Sequence, residues 1–376
     1  MTRLWIIPVA LLGLFLTDSF WSSAISAPAP PMRRPKVEIV FVVDTTGSMS
    51  LVEPMKSSLY NLFNLIQSAR PTPELRVGLV AFKDRDTPGN KEEYLLKPLD
   101  LRDNLDEVYA EFRTYTATGG GDTPEAVNEA LDYALNKLSW SKERRAIRMM
   151  FLIGDAPAHM DYPDDVKYPD TCRRAVELGI AIHTIQAGSD KECETHYRDI
   201  ARLSGGSYFR VDASGGFRKW NTDCDTKLRE LAQQLFRSGL VYGSGTARVQ
   251  GSNQAQLLLG LPVDVQAPRA ALTSKSKRLF PLDFVDALNA DRVRLADLKE
   301  EDLPQAVRLV AANERASYLQ KVIDQRQKLI EAIAELDRKR VPQLLKLIEA
   351  NSNALDAQIF LTFRKQAASQ LKYTSD

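Results

Sequence analysis

The sequence predicts an α/β fold, a doubly wound and mostly parallel six-stranded sheet flanked by helices, followed by a helical C-terminal region. Three observations predict it. Six apolar runs rich in Val, Ile and Leu fall between Val37 and Val211, helical patterns separate most of them, and polar turns carrying acids and hydroxyls follow several. Continuous apolar runs bounded by turns mark strands buried on both faces, and their alternation with helices is the signature of parallel crossovers.

Taken in order, "VEIVFVV" opens the folded part at Val37 and is followed by a helix over about 51–69. "LRVGLVAF" (75–82) is the second strand. "EYLLKPL" (93–99) alternates more and contains Pro98, which removes a ladder donor, so it belongs at a sheet edge. A short helix near Asp103 and a stronger one over 124–138 lead to "AIRMMFLI" (146–153). A helix over about 165–178, "IAIHTIQ" (180–186), a helix over 195–204, "SYFRV" and a helix over 223–237 complete the pattern.

The flanks read differently. Arg3, the apolar run Leu4 to Leu16 and the small residues of "SSAISA" have the layout of an export signal over residues 1–26. The run is shorter than the roughly 20 residues a membrane span needs. The protein is therefore expected to be secreted or periplasmic, with residues 27–36 as a Pro-rich tether. An oxidising compartment would allow one disulfide among Cys172, Cys193 and Cys224, and neighbouring loops favour Cys172 with Cys193, Cys224 being the alternative partner. Residues 239–300 lose periodicity and read as a linker or strand-poor packing segment. From 301 to 376 the chain turns helical: apolar residues recur at Leu319, Val322, Leu329, Ile333 and Leu336, and Pro342 is expected to interrupt them. Arg326 and Arg340 break the heptad, which favours a packed helical hairpin over a long coiled coil. Such a tail either packs on the main domain or serves as an oligomerising or partner-binding arm.

The 376 residues suffice for about two domains, and the formal charge of +1 points to neither nucleic acid nor an anionic membrane surface. Any membrane association would run through partners.

The chemistry concentrates in "DTTGSMS". Asp44, Thr46 and Ser48 leave the carboxyl end of the first strand, where doubly wound sheets bind ligands. A carboxylate with two hydroxyls makes an oxygen-only set suited to magnesium, manganese or calcium rather than zinc. Two further stretches fall on equivalent loops: "TGGGDTPE", with Asp122 and Thr123, and "IGDAPAH", with Asp155. Competing readings fail on single residues. A dehalogenase-type phosphatase needs a second acid where Thr46 stands, an aspartic protease needs Asp-Thr-Gly without the extra threonine, and a phosphate loop needs a lysine after Gly47. Ser48 lacks a Gly-x-Ser-x-Gly elbow. Among the three histidines, His159 lies near Asp155 but reads as a loop residue without a role, His183 reads as a satisfied core group, and His196 carries no assignment.

"DTTGSMS", "GGGDTPE" and "IGDAPAH" together resemble the metal-ion-dependent adhesion site of von Willebrand factor type A domains, in a subgroup found in bacteria and some extracellular matrix proteins. The resemblance covers about 37–238. It implies that Asp44, Thr46, Ser48, Asp155 and either Asp122 or Thr123 ligate a divalent cation, magnesium first and manganese or calcium as alternatives. It further implies a non-enzymatic binding protein whose partner offers an Asp or Glu to the ion. A metal-dependent hydrolase using the same ion, or a scaffold with an empty site, remain the alternatives.

Overall fold

In the computed structural model, which describes residues 34–86, 91–121, 123–214 and 220–373, strand β1 (Lys36–Asp44) lies at the centre of the sheet. Its sequence, apolar from Val37 to Val43 but for Glu38, is buried from Val37 onward, as a strand covered on both faces requires, and Glu38 is met by Arg76 Nη1 at 2.7 Å. The other strands are β2 (Glu74–Phe82), β3 (Leu96–Arg102), β4 (Ile147–Gly154), β5 (Ile180–Ala187) and β6 (Tyr208–Val211). Their order is β3-β2-β1-β4-β5-β6, all parallel except β3. The expected six-stranded doubly wound sheet is present. The Pro98-bearing strand is the antiparallel edge, beginning three residues later than the pattern placed it.

Strand order reverses between β1 and β4, and there the carboxyl ends of two neighbouring parallel strands open a crevice. The register sets Val43 opposite Ile153, so Asp44 stands level with Gly154.

Helices α1 (Val52–Ile66), α2 (Leu105–Arg113), α3 (Val127–Asn136), α4 (Tyr168–Glu177), α5 (Lys191–Ser204) and α6 (Asp225–Arg237) belong to the doubly wound part. Alternating β1 residues divide the core. Val40 and Val42 face α3, α4 and α5, whereas Ile39, Phe41 and Val43 face α1, α2 and the C-terminal helices.

That second face corrects two expectations. Residues 239–300 hold α7 (Gly245–Leu259), α8 (Val263–Ser276) and α9 (Phe284–Asn289) rather than an irregular linker. Every residue of α8 from Val265 to Ser274 is buried, so it has no polar face and no 3.6-residue periodicity to read. After the short α10 (Gln305–Arg308), α11 runs unbroken from Arg315 to Ala350 through Pro342, and α12 (Leu355–Ala367) follows. Thus Pro342 does not separate two helices. Packing of α11 on α6 and α8 compensates the hydrogen bond that proline removes.

The tail is part of the core, and its charges show how. Arg326 and Arg340, which spoil the heptad, are buried. Arg340 Nε donates to Asp225 Oδ1 at 2.6 Å and its Nη2 to Asn61 Oδ1 at 2.7 Å. On α8, Arg269 Nη2 donates to Asp106 Oδ2 at 2.7 Å. On α12, Asp356 accepts from Ser58 Oγ at 3.1 Å and from the Trp220 indole. Helices α8, α11 and α12 are thereby tied to α1, α2 and α6.

His183 is the satisfied core group its surroundings suggested. Its Nδ1 accepts from Ser207 N at 3.1 Å, so Nε2 carries the proton and donates to Gln366 Oε1 of α12 at 2.9 Å. Burial keeps its pKa below the ordinary value. The three cysteines are free and buried, against the expected Cys172 to Cys193 bridge. Cys172 Sγ instead donates to Ile200 O, and both thiols sit in the apolar layer between sheet and helices. The expected export signal (1–26) and all but the last three residues of the tether (27–36) lie outside the described residues, as does Asp122. No described helix is long and apolar enough to cross a membrane.

Candidate metal centre

Asp44 ends β1 fully buried, and the chain then turns outward to exposed Ser48. Asp44 Oδ1 accepts from Thr46 N at 2.8 Å and from Thr46 Oγ1 at 2.7 Å. The two site hydroxyls, Thr46 Oγ1 and Ser48 Oγ, lie 3.3 Å apart, and Ser48 hydrogen-bonds Asp155 from the loop after β4. A continuous run of oxygens therefore joins Asp44, Thr46, Ser48 and Asp155. Among the described residues, the other oxygen, Asp44 Oδ2, is buried without a hydrogen-bond partner.

Glycines make the approach possible. A Cβ at Gly154 would stand 3.2 Å from Asp44 Cβ and 2.3 Å from the Tyr197 hydroxyl. Gly120 has φ of 79°, a left-handed backbone that only glycine adopts cheaply, and a Cβ there would lie 2.9 Å from Thr46 Cβ. The second loop is held to the first by Gly47 N donating to Gly119 O at 2.9 Å and Thr118 N to Thr45 O at 3.0 Å.

Electrostatics single out the same place. Burial, then the neighbouring Asp155, push Asp44 up to about 7. Burial also raises Asp155, against the pull of its hydrogen bond from Ser48. Glu125, at the start of α3, is pushed to about 9 by burial and by Asp44, Asp84, Asp155 and Glu92. Five acids thus share one loop cluster. A buried ammonium lies beneath it: Lys83 Nζ donates to Thr45 O at 3.0 Å and to Thr118 O and stands 3.7 Å from Glu92 Oε2. Glu92 Oε1 in turn accepts from Gly120 N at 2.7 Å.

Of the expected ligands, Asp44, Thr46, Ser48 and Asp155 are brought together. Thr123 is exposed, and the second-loop side chain drawn toward the cluster is Glu125. Asp84, Glu92, Glu125 and Lys83 escaped the sequence reading. Yet "FKDRD" follows the second buried strand as "DTTGS" follows the first, and the same rule applied twice finds Asp84. His159 is more than a loop histidine: it is buried, stacked on Tyr162 at 3.9 Å, with Nδ1 2.7 Å from Asp161 and Nε2 3.4 Å from Asp84.

These residues fit a hard cation. Each hydroxyl that donates to a carboxylate keeps lone pairs for an ion, and an orphaned buried carboxylate oxygen is costly unless something positive faces it. Among the described residues no group of three or more His, Cys, Asp or Glu side chains is arranged to hold a metal. The set here has two carboxylates and two hydroxyls.

Glu125 offers a test of the electrostatics. Its folded pKa lies above the ordinary 4.5, so the folded state holds a proton the unfolded chain releases, and stability from this group declines as pH rises from 4.5 toward 9. Glu125→Gln is expected to melt higher than the parent at pH 7 to 9 in metal-free buffer, with the difference vanishing near pH 4. A constant difference across that range would show that the carboxyl is not held neutral.

A doubly wound α/β domain with an oxygen-lined crevice at its switch point is the class this geometry defines. The sequence places it further: residues 38–222 match the von Willebrand factor type A domain, and the chain carries such a domain. Domains of this type generally mediate protein–protein interaction. Among solved structures, two crystal forms of proximal thread matrix protein 1 from the mussel byssus align with 48% of this chain at 14% and 15% identity and TM-scores of 0.37 and 0.35. The alignment spans only 42% of that protein's length. The SpRpn10 VWA domain aligns over 61% of this chain and 99% of its own at 12% identity and a TM-score of 0.36. No curated protein matches.

Proposed function

We propose that this is an exported, non-enzymatic binding protein whose type A domain uses a divalent cation, magnesium first, to grip an acidic side chain of a protein partner. The observation that carries this reading is the buried Asp44 Oδ2, without a hydrogen-bond partner among the described residues, beside the oxygen run of Thr46, Ser48 and Asp155. When bound, the cation supplies a positive centre with a coordination corner open to a partner's carboxylate. Asp44, Thr46, Ser48 and Asp155 would hold it, with Asp122 or Thr123 completing the set from the second loop. Asp44 and Asp155 would give charge, and Thr46 and Ser48 neutral lone pairs. Without a cation, Asp44, Asp84, Glu92, Glu125 and Asp155 would repel a partner's acid, so binding should be all or none with respect to the ion. Lys83 fixes the two loop backbones against each other so that the donors keep their spacing.

Export rests on the leader at residues 1–26. The expected result is one magnesium or manganese site by calorimetry on the full chain, and a partner retained from the native envelope in magnesium but lost in chelator. Retention unaffected by chelator would reject the cation-dependent grip.

A further inference from the structure

At the opposite end of the sheet from Asp44, the starts of β1 and β2 and the end of antiparallel β3 border a cleft of about 600 Å3 closed by the end of α8. We propose that this cleft binds a compact, multiply charged oxyanion of the phosphate-chain class.

The lining is basic: among the described residues Arg34, Lys36, Arg76, Arg102, Lys275 and Arg278 border it against Glu74 and Asp103. In a chain whose charges cancel to +1 overall, that is a segregated patch. Its cations divide into two groups. Lys36, Arg76 and Lys275 are committed to Glu143, Glu38 and Asp337 at 2.5, 2.7 and 2.5 Å. Arg102 and Arg278 are not so held: their nearest carboxylates, Glu107 and Asp103, stand 3.7 and 3.8 Å away, and both side chains are about half exposed, at 45% and 50%. Arg34 is exposed and makes no ion pair among the described residues.

Three guanidinium forks therefore converge on one concavity with donors to spare, beside three further cations whose charge Glu143, Glu38 and Asp337 meet. Planar forks pair bidentately with phosphate oxygens, which gives such a site geometry as well as charge. Among the described residues no aromatic side chain lines the cleft itself, and Phe280 of the adjoining recess is buried, so neither offers an open platform for a nucleobase or a sugar ring. Its volume suits a small molecule, and it continues into a recess of about 80 Å3 that shares Gln67, Asp103, Ser276 and Arg278. Because the cleft lies between sheet and α8, an anion there would bridge the doubly wound part and the C-terminal helices.

The test is calorimetric titration of the full chain, dialysed free of divalent cation, with inorganic tripolyphosphate at 0.15 M salt. One saturable site with a Kd below about 1 mM is expected. Joint replacement of Arg34, Arg102 and Arg278 by alanine should weaken it at least tenfold, with Arg278→Ala alone giving a measurable part of that loss. Joint replacement of Arg173, Arg174 and Lys191, exposed cations elsewhere, should leave it unchanged. Absence of saturable binding, or equal loss from both triple variants, would overturn the proposal.

Discussion

Asp44→Ala is expected to abolish divalent-cation binding, lowering affinity by more than a hundredfold, while Asp44→Asn removes the binding and keeps the fold. Asp44 supplies the only fully buried charge of the oxygen run, and its Oδ1 already holds the Thr46 amide and hydroxyl in place. Its ordinary pKa of 3.8 is pushed to about 7 in the metal-free protein, first by burial and then by Asp155. The folded state therefore keeps a proton that the unfolded chain releases between those values, and stability falls as pH rises through that window. Asparagine at position 44 has no proton to hold. In chelator at pH 7, Asp44→Asn should melt at or above the parent and decline less steeply than the parent from pH 4 to 7, the remaining slope including that of Glu125. Magnesium at a hundredfold excess over its Kd would stabilise the parent by about 2.7 kcal/mol, a shift of a few degrees, and the variant not at all. A magnesium-induced shift retained in a cooperatively melting Asp44→Asn would remove the metal site from this crevice.

How much of this was legible in the sequence depends on how local the determinant is. The strands were readable because burial on both faces writes itself as an unbroken apolar run, and Pro98 located the edge because a proline cannot donate to a ladder. Asp44, Thr46, Ser48 and Asp155 were readable because a strand's carboxyl end is a place that sequence alone can find. What stayed hidden is what depends on another element's position. Helix α8, buried along ten consecutive residues, lacks the polar face that announces a helix. Glu125 sat inside a stretch already singled out, but its importance lies in proximity to Asp44, Asp84 and Glu92, which arrive from three other loops. The most misleading letters were Arg326 and Arg340. Read along α11 they look like defects in a seam, and only the folded chain reveals the carboxylates that receive them.

Arg326→Leu should be the most destabilising single replacement in the C-terminal region, costing about 3–5 kcal/mol, because it leaves two buried carboxylates without their cation. The guanidinium joins three elements. It contacts both oxygens of Asp283, the residue that caps α9, with Nη2 to Oδ2 at 3.1 Å; it reaches Asp286 Oδ1 at 3.4 Å; and its Nε donates to Ser238 Oγ at 3.1 Å at the end of α6. Asp283 cannot simply relax, since its Oδ2 also accepts from Leu240 N at 2.8 Å. Burial and Asp283 already push Asp286 up to about 6 despite the arginine. Removing the arginine would raise Asp286 further, so the variant's folded state takes up a proton there and its deficit should be smaller at pH 5 than at pH 8. Arg338→Ala, exposed on the same helix, should change stability by no more than about 0.5 kcal/mol. If Arg326→Leu unfolds at the parent's urea concentration, the C-terminal helices are carried by the type A domain rather than built into its core.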